Sequence, residues 1–304
     1  MHTFEEVAVG LRFPEGPVAF PDGSVVVAEV AGGTLTRIDS RGVASIVATP
    51  GGSPGGCALG PDGALYVCNG GGTKWRERNG IIEPWGQGDD YQGGRIERVD
   101  LATGEVRILY RECNGHRLSS PNDLVFDAHG GFYFSDLGKM RARDRDRGGV
   151  YYAHTDGTRI QEVVYPLETP NGVGLSPDGR QLYVAETITG RLWAFDVLAP
   201  GVIQQREDRW AKGRLVFGLA GLQCLDSLAV QADGSICVAT LVNGGITRVA
   251  ADGSRLEHIP TPDPYTTNLC FGGTDLRTAY ITLSSTGRLL AMPWDAPGLR
   301  LNYG

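Results

Sequence analysis

The sequence predicts an all-β protein, a six-bladed β-propeller, on three observations: a short pattern recurs six times, glycine is abundant, and no stretch shows convincing helical amphipathicity. The repeated pattern is an apolar run, a turn of the Pro-Asp-Gly kind and a second apolar run. The turns fall at Pro21-Asp22-Gly23, Pro61-Asp62-Gly63, Ala128-His129-Gly130, Pro177-Asp178-Gly179, Ala232-Asp233-Gly234 and, degenerate, Thr274-Asp275-Leu276. They lie 40, 67, 49, 55 and 42 residues apart, the range of four-stranded blades with loop insertions. The 45 glycines among 304 residues suit a fold of many tight turns.

Each copy opens as a hairpin. Val18-Ala19-Phe20, turn, Val25 to Ala28 is the first, and Gly174 to Ser176, turn, Gln181 to Ala185 the fourth. A third strand follows in every copy: Gly33 to Ile38, Gly94 to Val99, Gly149 to Ala153, Gly190 to Phe195, Gly245 to Val249 and Gly287 to Met292. The leading glycine suits a turn that needs positive φ or close backbone approach. Fourth strands fit Val43 to Ala48, Val106 to Tyr110, Ile160 to Val164 and Leu256 to Ile259. The last copy lacks one, since only a tail bearing proline and glycine follows Trp294. Phe4 to Val9 alternates apolar with polar ahead of the first copy. It is expected to pair as the outer strand of the sixth blade, because an open ring would leave two unpaired edges. Residues 1–304 are therefore expected to form a single propeller domain.

Composition excludes several classes. No apolar run is long enough for a transmembrane helix, and Met1 to Glu6 lacks the regions of a signal peptide. A net charge of −7 argues against a nucleic-acid partner, which would want a basic face. Arg141 to Arg147 alternates sign with Asp144 and Asp146, as a salt-bridged, solvated loop does. The cysteines at 57, 68, 113, 224, 237 and 270 form no Cys-x-x-Cys pair, and four sit in apolar strand runs as small buried hydrophobes. They are expected to be reduced, in a cytoplasmic protein. The histidines at 2, 116, 129, 154 and 258 show no metal-ligand spacing, although His116 precedes the third blade closely enough to reach its mouth. The sequence sets no oligomeric state.

Seven residues before the middle of each turn stand Glu15, Gly55, Asn122, Asn171, Asp226 and Asn268. Five of the six bear a side-chain oxygen, and a propeller would gather them into a ring around its axis. Glu15, Asn171 and Asp226 supply two carboxylates and an amide oxygen, a hard-donor set that suits one divalent ion. Calcium fits best, with magnesium, manganese or zinc as alternatives; zinc held by thiolates does not fit the cysteine spacing. A second set follows 14 to 16 residues later, Glu29, Asn69, Asp136, Glu186, Thr240 and Ser284, and is expected at the same mouth, less deep. The competing reading is that these Asp, Asn and Glu residues cap turns.

Phe13-Pro14-Glu15-Gly16-Pro17, Ser120-Pro121-Asn122-Asp123, Pro170-Asn171-Gly172-Val173, Asp226-Ser227-Leu228-Ala229-Val230 and Asn268 to Leu276 together resemble the blade-start motifs of the senescence marker protein/gluconolactonase/luciferin-regenerating enzyme family. The resemblance runs from Glu15 to about Trp294. It implies a six-bladed propeller with a divalent metal in its channel that acts as a lactone hydrolase. By position it implies Glu15, Asn171 and Asp226 as metal ligands and Asn122 as a polar residue at the metal or its substrate. In the sugar-lactonase members an arginine stands where this chain has Ser120, which puts an aldonolactone in doubt more than lactone hydrolysis itself.

The chemistry expected of such a site is attack by water on a lactone carbonyl polarised by the cation. A carboxylate would act as general base: Asp226 first, with Asp136 or Glu186 as alternatives. Asn122 is expected to take part in catalysis. Expected substrate contacts are Asn122, Ser120, Asp136, Lys139, Glu186 and the tryptophans Trp75 and Trp85. The tryptophans belong to an insertion between Asn69 and Gly93 that reads as a lid or pocket wall. Lys139 and Arg141 are placed to meet a substrate carboxylate. Two further functions fit the same fold: hydrolysis of other esters or phosphotriesters in a calcium channel, and a non-catalytic binding propeller with structural calcium.

Overall fold

In the computed structural model, which describes residues 3–206, 208 and 211–304, six antiparallel sheets, five of four strands and one of five, surround one axis. Blade 1 comprises Pro14–Ala19, Val25–Glu29, Thr34–Ile38 and Ala44–Ala48, from the axis outward. Blade 2 comprises Pro54–Leu59, Leu65–Asn69, Arg95–Val99 and Val106–Tyr110. Blade 3 comprises Pro121–Phe126, Gly131–Asp136, Gly148–His154 and Ile160–Leu167. Blade 4 runs Pro170–Leu175, Gln181–Glu186, Arg191–Ala199 and Arg214–Gly218, and blade 5 runs Cys224–Val230, Ile236–Leu241, Gly245–Val249 and Leu256–Pro260. Thr266–Gly272, Thr278–Leu283 and Arg288–Pro293 form the inner three strands of blade 6.

The ring closes as the sequence predicts. Glu5–Ala8 pairs antiparallel with Arg288–Pro293, Glu5 opposite Ala291, and becomes the outer strand of blade 6. The third strands also fall where their glycines place them. The outer strand of blade 4, Arg214–Gly218, is one that no sequence pattern announces; it returns after a long excursion that adds the short strand Val202–Ile203 to the same blade.

The core lies between blades, where the apolar faces of successive sheets pack together. Between blades 2 and 3 the packing is aromatic: the Tyr66 ring lies 5.1 Å from Phe126 and 5.6 Å from Phe132. Near the axis the innermost strands approach too closely for side chains. A Cβ on Gly56 would lie 2.6 Å from the Asn122 carbonyl oxygen, and one on Gly172 2.7 Å from the Leu228 nitrogen. These glycines narrow the channel where the ring residues stand.

On the turn face, past this constriction, the channel widens into a cavity of about 810 Å³ with largely aliphatic walls. The C-terminal tail crosses it. Leu299 N donates to Val230 O of blade 5 (2.8 Å), Asn302 Nδ2 donates to Phe126 O of blade 3 (3.0 Å), and the Tyr303 ring rests on Phe126.

Candidate active site

Every innermost strand breaks its pairing register at the same place. The irregularities fall at Glu15–Val18, Pro54–Cys57, Pro121–Leu124, Pro170–Val173, Leu225–Leu228 and Thr266–Asn268. An irregularity of this kind bends a strand and re-aims its side chains, so repeating it six times gathers Glu15, Asn122, Asn171, Asp226 and Asn268 at one level of the channel. Blade 2 offers only Gly55 there, with the Asn122 backbone against it.

Glu15, Asn171, Asp226 and Asn268 are buried, and Asn122 is half-buried. Glu15 Oε2 accepts hydrogen bonds from Asn268 Nδ2 (2.8 Å) and from its neighbour's N–H, Gly16 (2.7 Å). Asn171 Nδ2 donates to Thr187 Oγ1 (3.0 Å), and its Oδ1 accepts from Ser227 Oγ (3.4 Å), while the same amide hydrogen-bonds the Asp226 carboxylate as a donor. Asn122 makes no side-chain hydrogen bond among the described residues, so its amide is free for a ligand.

A carboxylate that the repeat spacing does not single out completes the cluster: Asp123, whose oxygens accept from Leu124 N (2.9 Å) and Val173 N (3.3 Å). Burial first, and then the Glu15 charge, push its pKa up to about 8. Burial also raises Glu15, with Asn268 and Gly16 pulling it back. Burial, then Glu15 and Asp123, raise Asp226 well above the usual carboxylate range. The charges acting on this group are one another's, with no cation prominent among them. Asp123 stands beside Asn122 in the blade-3 motif, but its neighbour in sequence carries the periodic signal.

Such a group is stable only with added protons or an added cation. Among the described residues no three His, Cys, Asp or Glu side chains stand close enough to hold a metal by themselves. The set expected from the sequence asks for two carboxylates, Glu15 and Asp226, with amide oxygens completing it, and the residues present fit a hard divalent ion in that way.

The second set is built differently. Asp136 accepts from the N–H groups of Ser119 (2.7 Å), Ser120 (2.7 Å) and Gly138 (3.0 Å). Glu186 accepts from Glu168 N (2.7 Å) and Thr189 Oγ1 (2.6 Å), and Glu29 from Arg12 N (2.7 Å) and Thr36 Oγ1. These carboxylates shape the loops of the mouth. The geometry therefore turns Asp136 and Glu186 toward loop N–H and hydroxyl groups, where they position Ser120 and the blade-4 entrance.

The insertion in blade 2 is a hairpin, Thr73–Arg78 with Ile81–Gln87. It spans the mouth: Gln87 N donates to Met140 O beside blade 3 (3.2 Å), and Ile82 N donates to Ser285 O of blade 6 (3.0 Å). Trp75 packs on Phe13 with centroids 4.9 Å apart, at the head of blade 1. Trp85 turns to solvent, 55% exposed, with the Arg76 guanidinium stacked 3.6 Å above it. Arg141 pairs with Asp144 and Asp146, as the alternating charges imply. Lys139 is buried, and its Nζ donates to Gly72 O (2.9 Å). His116 sits exposed in a short hairpin, His129 lines the turn-side cavity, and His2 lies outside the described residues. All six cysteines are free thiols. No helix is long and apolar enough to cross a membrane, among the described residues.

Fold and ring together define a six-bladed propeller with a carboxylate–amide site in its channel. Residues 13–285 match the SMP-30/Gluconolactonase/LRE-like region, and the chain belongs to that family. It is 28% identical over 295 residues to the gluconolactonase of Zymomonas mobilis, covering 88% of this chain and 75% of that protein. A crystal structure described as a putative gluconolactonase superposes with a TM-score of 0.76 at 25% identity, over 98% of this chain and 94% of the other. Regucalcin from Agrobacterium tumefaciens, described as a calcium-binding protein, shares the fold with a TM-score of 0.73 at 17% identity, over 99% and 98% of the two chains.

Proposed function

We propose that this protein is a metal-dependent lactonase that opens a cyclic ester by attack of water. The observation that carries the reading is the buried, mutually repelling pair Glu15 and Asp226 with the Asn171 amide beside it, in a chain similar to proteins named gluconolactonase and lactonase. Glu15, Asn171 and Asp226 would hold one divalent ion, calcium best suited to their oxygens. Such an ion, when bound, supplies polarisation of the lactone carbonyl and charge to stabilise the developing oxyanion.

The chain's own residues do the rest. Asp226, made more basic by burial and by Glu15, takes a proton from the attacking water. The water oxygen bonds to the carbonyl carbon, the ring C–O bond breaks, and the leaving alkoxide takes up a proton, giving the hydroxy acid. The unpaired Asn122 amide orients the substrate at the rim of the ring. Trp75 and Phe13 wall the mouth, and the hairpin over it limits access of bulk water. Six free thiols agree with a reducing compartment, and the cytoplasm is the proposed location.

The test is a pH-indicator assay over lactones and aryl esters, before and after chelation. Acid release from lactones that chelation abolishes and calcium restores is the expected result. Activity confined to aryl esters or phosphotriesters would move the substrate class. Silence across the panel in metal-loaded protein would leave a binding propeller and end the lactonase reading.

A further inference from the structure

The two ends of the channel differ in chemistry. At the ring, five of the six blades bring an oxygen-bearing side chain. Further along the same innermost strands, on the turn face, every blade brings an aliphatic one to the cavity of about 810 Å³: Val18, Leu59, Val125, Leu175, Val230 and Leu269. That volume lies within the roughly 300–1,000 Å³ of small-molecule sites. A funnel that merely held water would suit polar residues, because a water in a protein needs polar partners. A wall of aliphatic side chains from all six blades suits an apolar guest, which it shields from water.

The two ends of the cavity narrow the choice of guest. Toward the ring it reaches Asp123 and Asn268. Each Asp123 oxygen accepts one backbone N–H, from Leu124 or from Val173, and a carboxylate oxygen has a further lone pair to offer a hydroxyl. A carboxylate head would be buried against acids with no partner, which is costly. An ammonium head would stand beside the divalent ion proposed for the ring. An uncharged head meets neither penalty. At the outer end the C-terminal tail spans the opening. It is fixed to blade 5 through its backbone, Ala232 N donating to Pro297 O (3.0 Å) and Leu299 N to Val230 O (2.8 Å). At blade 3 it is held by two side chains, Asn302 Nδ2 on Phe126 O (3.0 Å) and the Tyr303 ring 5.6 Å from that of Phe126.

We infer that the turn-side cavity is a second binding site, for an uncharged aliphatic molecule with a hydroxyl at one end, a medium-chain alcohol in kind, and that the C-terminal tail closes over it. The chain lies among the six aliphatic side chains with its hydroxyl toward Asp123. The tail lifts at blade 3, where only side chains hold it, and stays fixed at blade 5. The site stands apart from the lactonase reading, which enters only through the ring's ion in the exclusion of an ammonium. The competing reading is that walls and tail merely complete the core, and that the cavity is a by-product of closing six blades.

The test is calorimetric titration of the calcium-loaded protein with hexanol, heptanol and octanol, and with octanoate and octylammonium. The alcohols should bind saturably, each added methylene tightening binding by about two- to fourfold, and both ions should bind at least about tenfold more weakly than octanol. In crystals grown with octanol brominated at its far carbon, anomalous scattering should place the bromine among the six aliphatic side chains. Asn302→Ala combined with Tyr303→Ala, both outside the core, should weaken octanol by about three- to tenfold through faster release. No saturable binding, an affinity indifferent to chain length, or bromine outside the cavity overturns the site. Either ion bound as tightly as octanol overturns the uncharged head, and unchanged affinity in the double variant overturns closure by the tail. A protein that opens no lactone and still binds octanol in the cavity separates this inference from the lactonase reading.

Discussion

Two rings of oxygen-bearing side chains, encoded at one spacing and facing one mouth, differ in what surrounds their acids. In the outer ring each acid is surrounded by donors: Asp136 holds three backbone N–H groups, Glu29 one N–H and two hydroxyls, and Glu186 one N–H and one hydroxyl. In the inner ring Glu15 and Asp123 also accept hydrogen bonds, but Glu15, Asp226 and Asp123 share one buried space, and burial first raises the pKa values of all three. The outer residues sit opposite the residue before each ring position, Pro14 with Glu29 and Pro121 with Asp136, where incoming loops reach them. One residue further in, the strand irregularity turns the side chain to the axis, out of reach of the loops. Which ring is satisfied by the protein, and which awaits something else, follows from that single step.

The largest effect is expected from the inner ring. Asp226→Ala removes a proposed ligand and the proposed base together, so kcat/KM on a lactone should fall by about three orders of magnitude. Circular dichroism should hold, because the blades are stabilised by packing on one another, and the unfolding midpoint of the metal-free variant should not fall, since a raised buried acid has been removed. Near wild-type turnover would end the metal-hydrolase reading.

Asp136→Ala sharpens the contrast from the outer side. It strips three buried N–H groups of their acceptor, at a cost of about 2–4 kcal/mol in urea unfolding. Activity should fall less than in Asp226→Ala, through displacement of Ser120. A variant of unchanged stability and abolished turnover would return Asp136 to the chemistry, and the distinction between the rings would collapse.

These differences also mark how far the sequence can be read. Turn chemistry and period are local, so the blades, their glycine-led third strands and the closure by Glu5–Ala8 were legible. So was the inner ring, because its spacing from each turn repeats. The outer strand Arg214–Gly218 was not, since its partner ends at Ala199 and nothing local announces the return. Asp123 escaped because its burial arises from contact with blade 4 through Val173 N, a property of closure. The outer acids were legible as positions but not as roles: a carboxylate that caps a loop and one that faces the axis differ only in which N–H groups fold against them. Lys139 is the same case in reverse, visible as a charge, with its burial against Gly72 O visible only in three dimensions.

The smallest expected effect tests the electrostatic state of the inner ring directly. Glu15, Asp226 and Asp123 all have folded-state pKa values above those of free carboxylates, Asp123 at about 8. The folded state therefore holds more protons than the unfolded chain through the neutral range, and stability falls as pH rises. The sign is that of raised acids: their stabilisation is complete below the unfolded values near 4 and is lost as pH climbs through the raised ones. In chelated protein the melting temperature should decline from pH 5 to pH 8. Calcium substitutes for the lost protons, so its effect should grow along the same path. At a hundredfold excess over Kd it should raise the melting temperature by about 4 °C at pH 8 and by little at pH 5, where protons already occupy the ring. Asp136 is raised by burial as well, and adds to the decline without adding to the calcium response. The response should therefore vanish in Asp226→Ala and survive any change confined to the outer ring. An equal calcium shift at both pH values would mean that the inner carboxylates are already satisfied, and the two rings would then differ in position only.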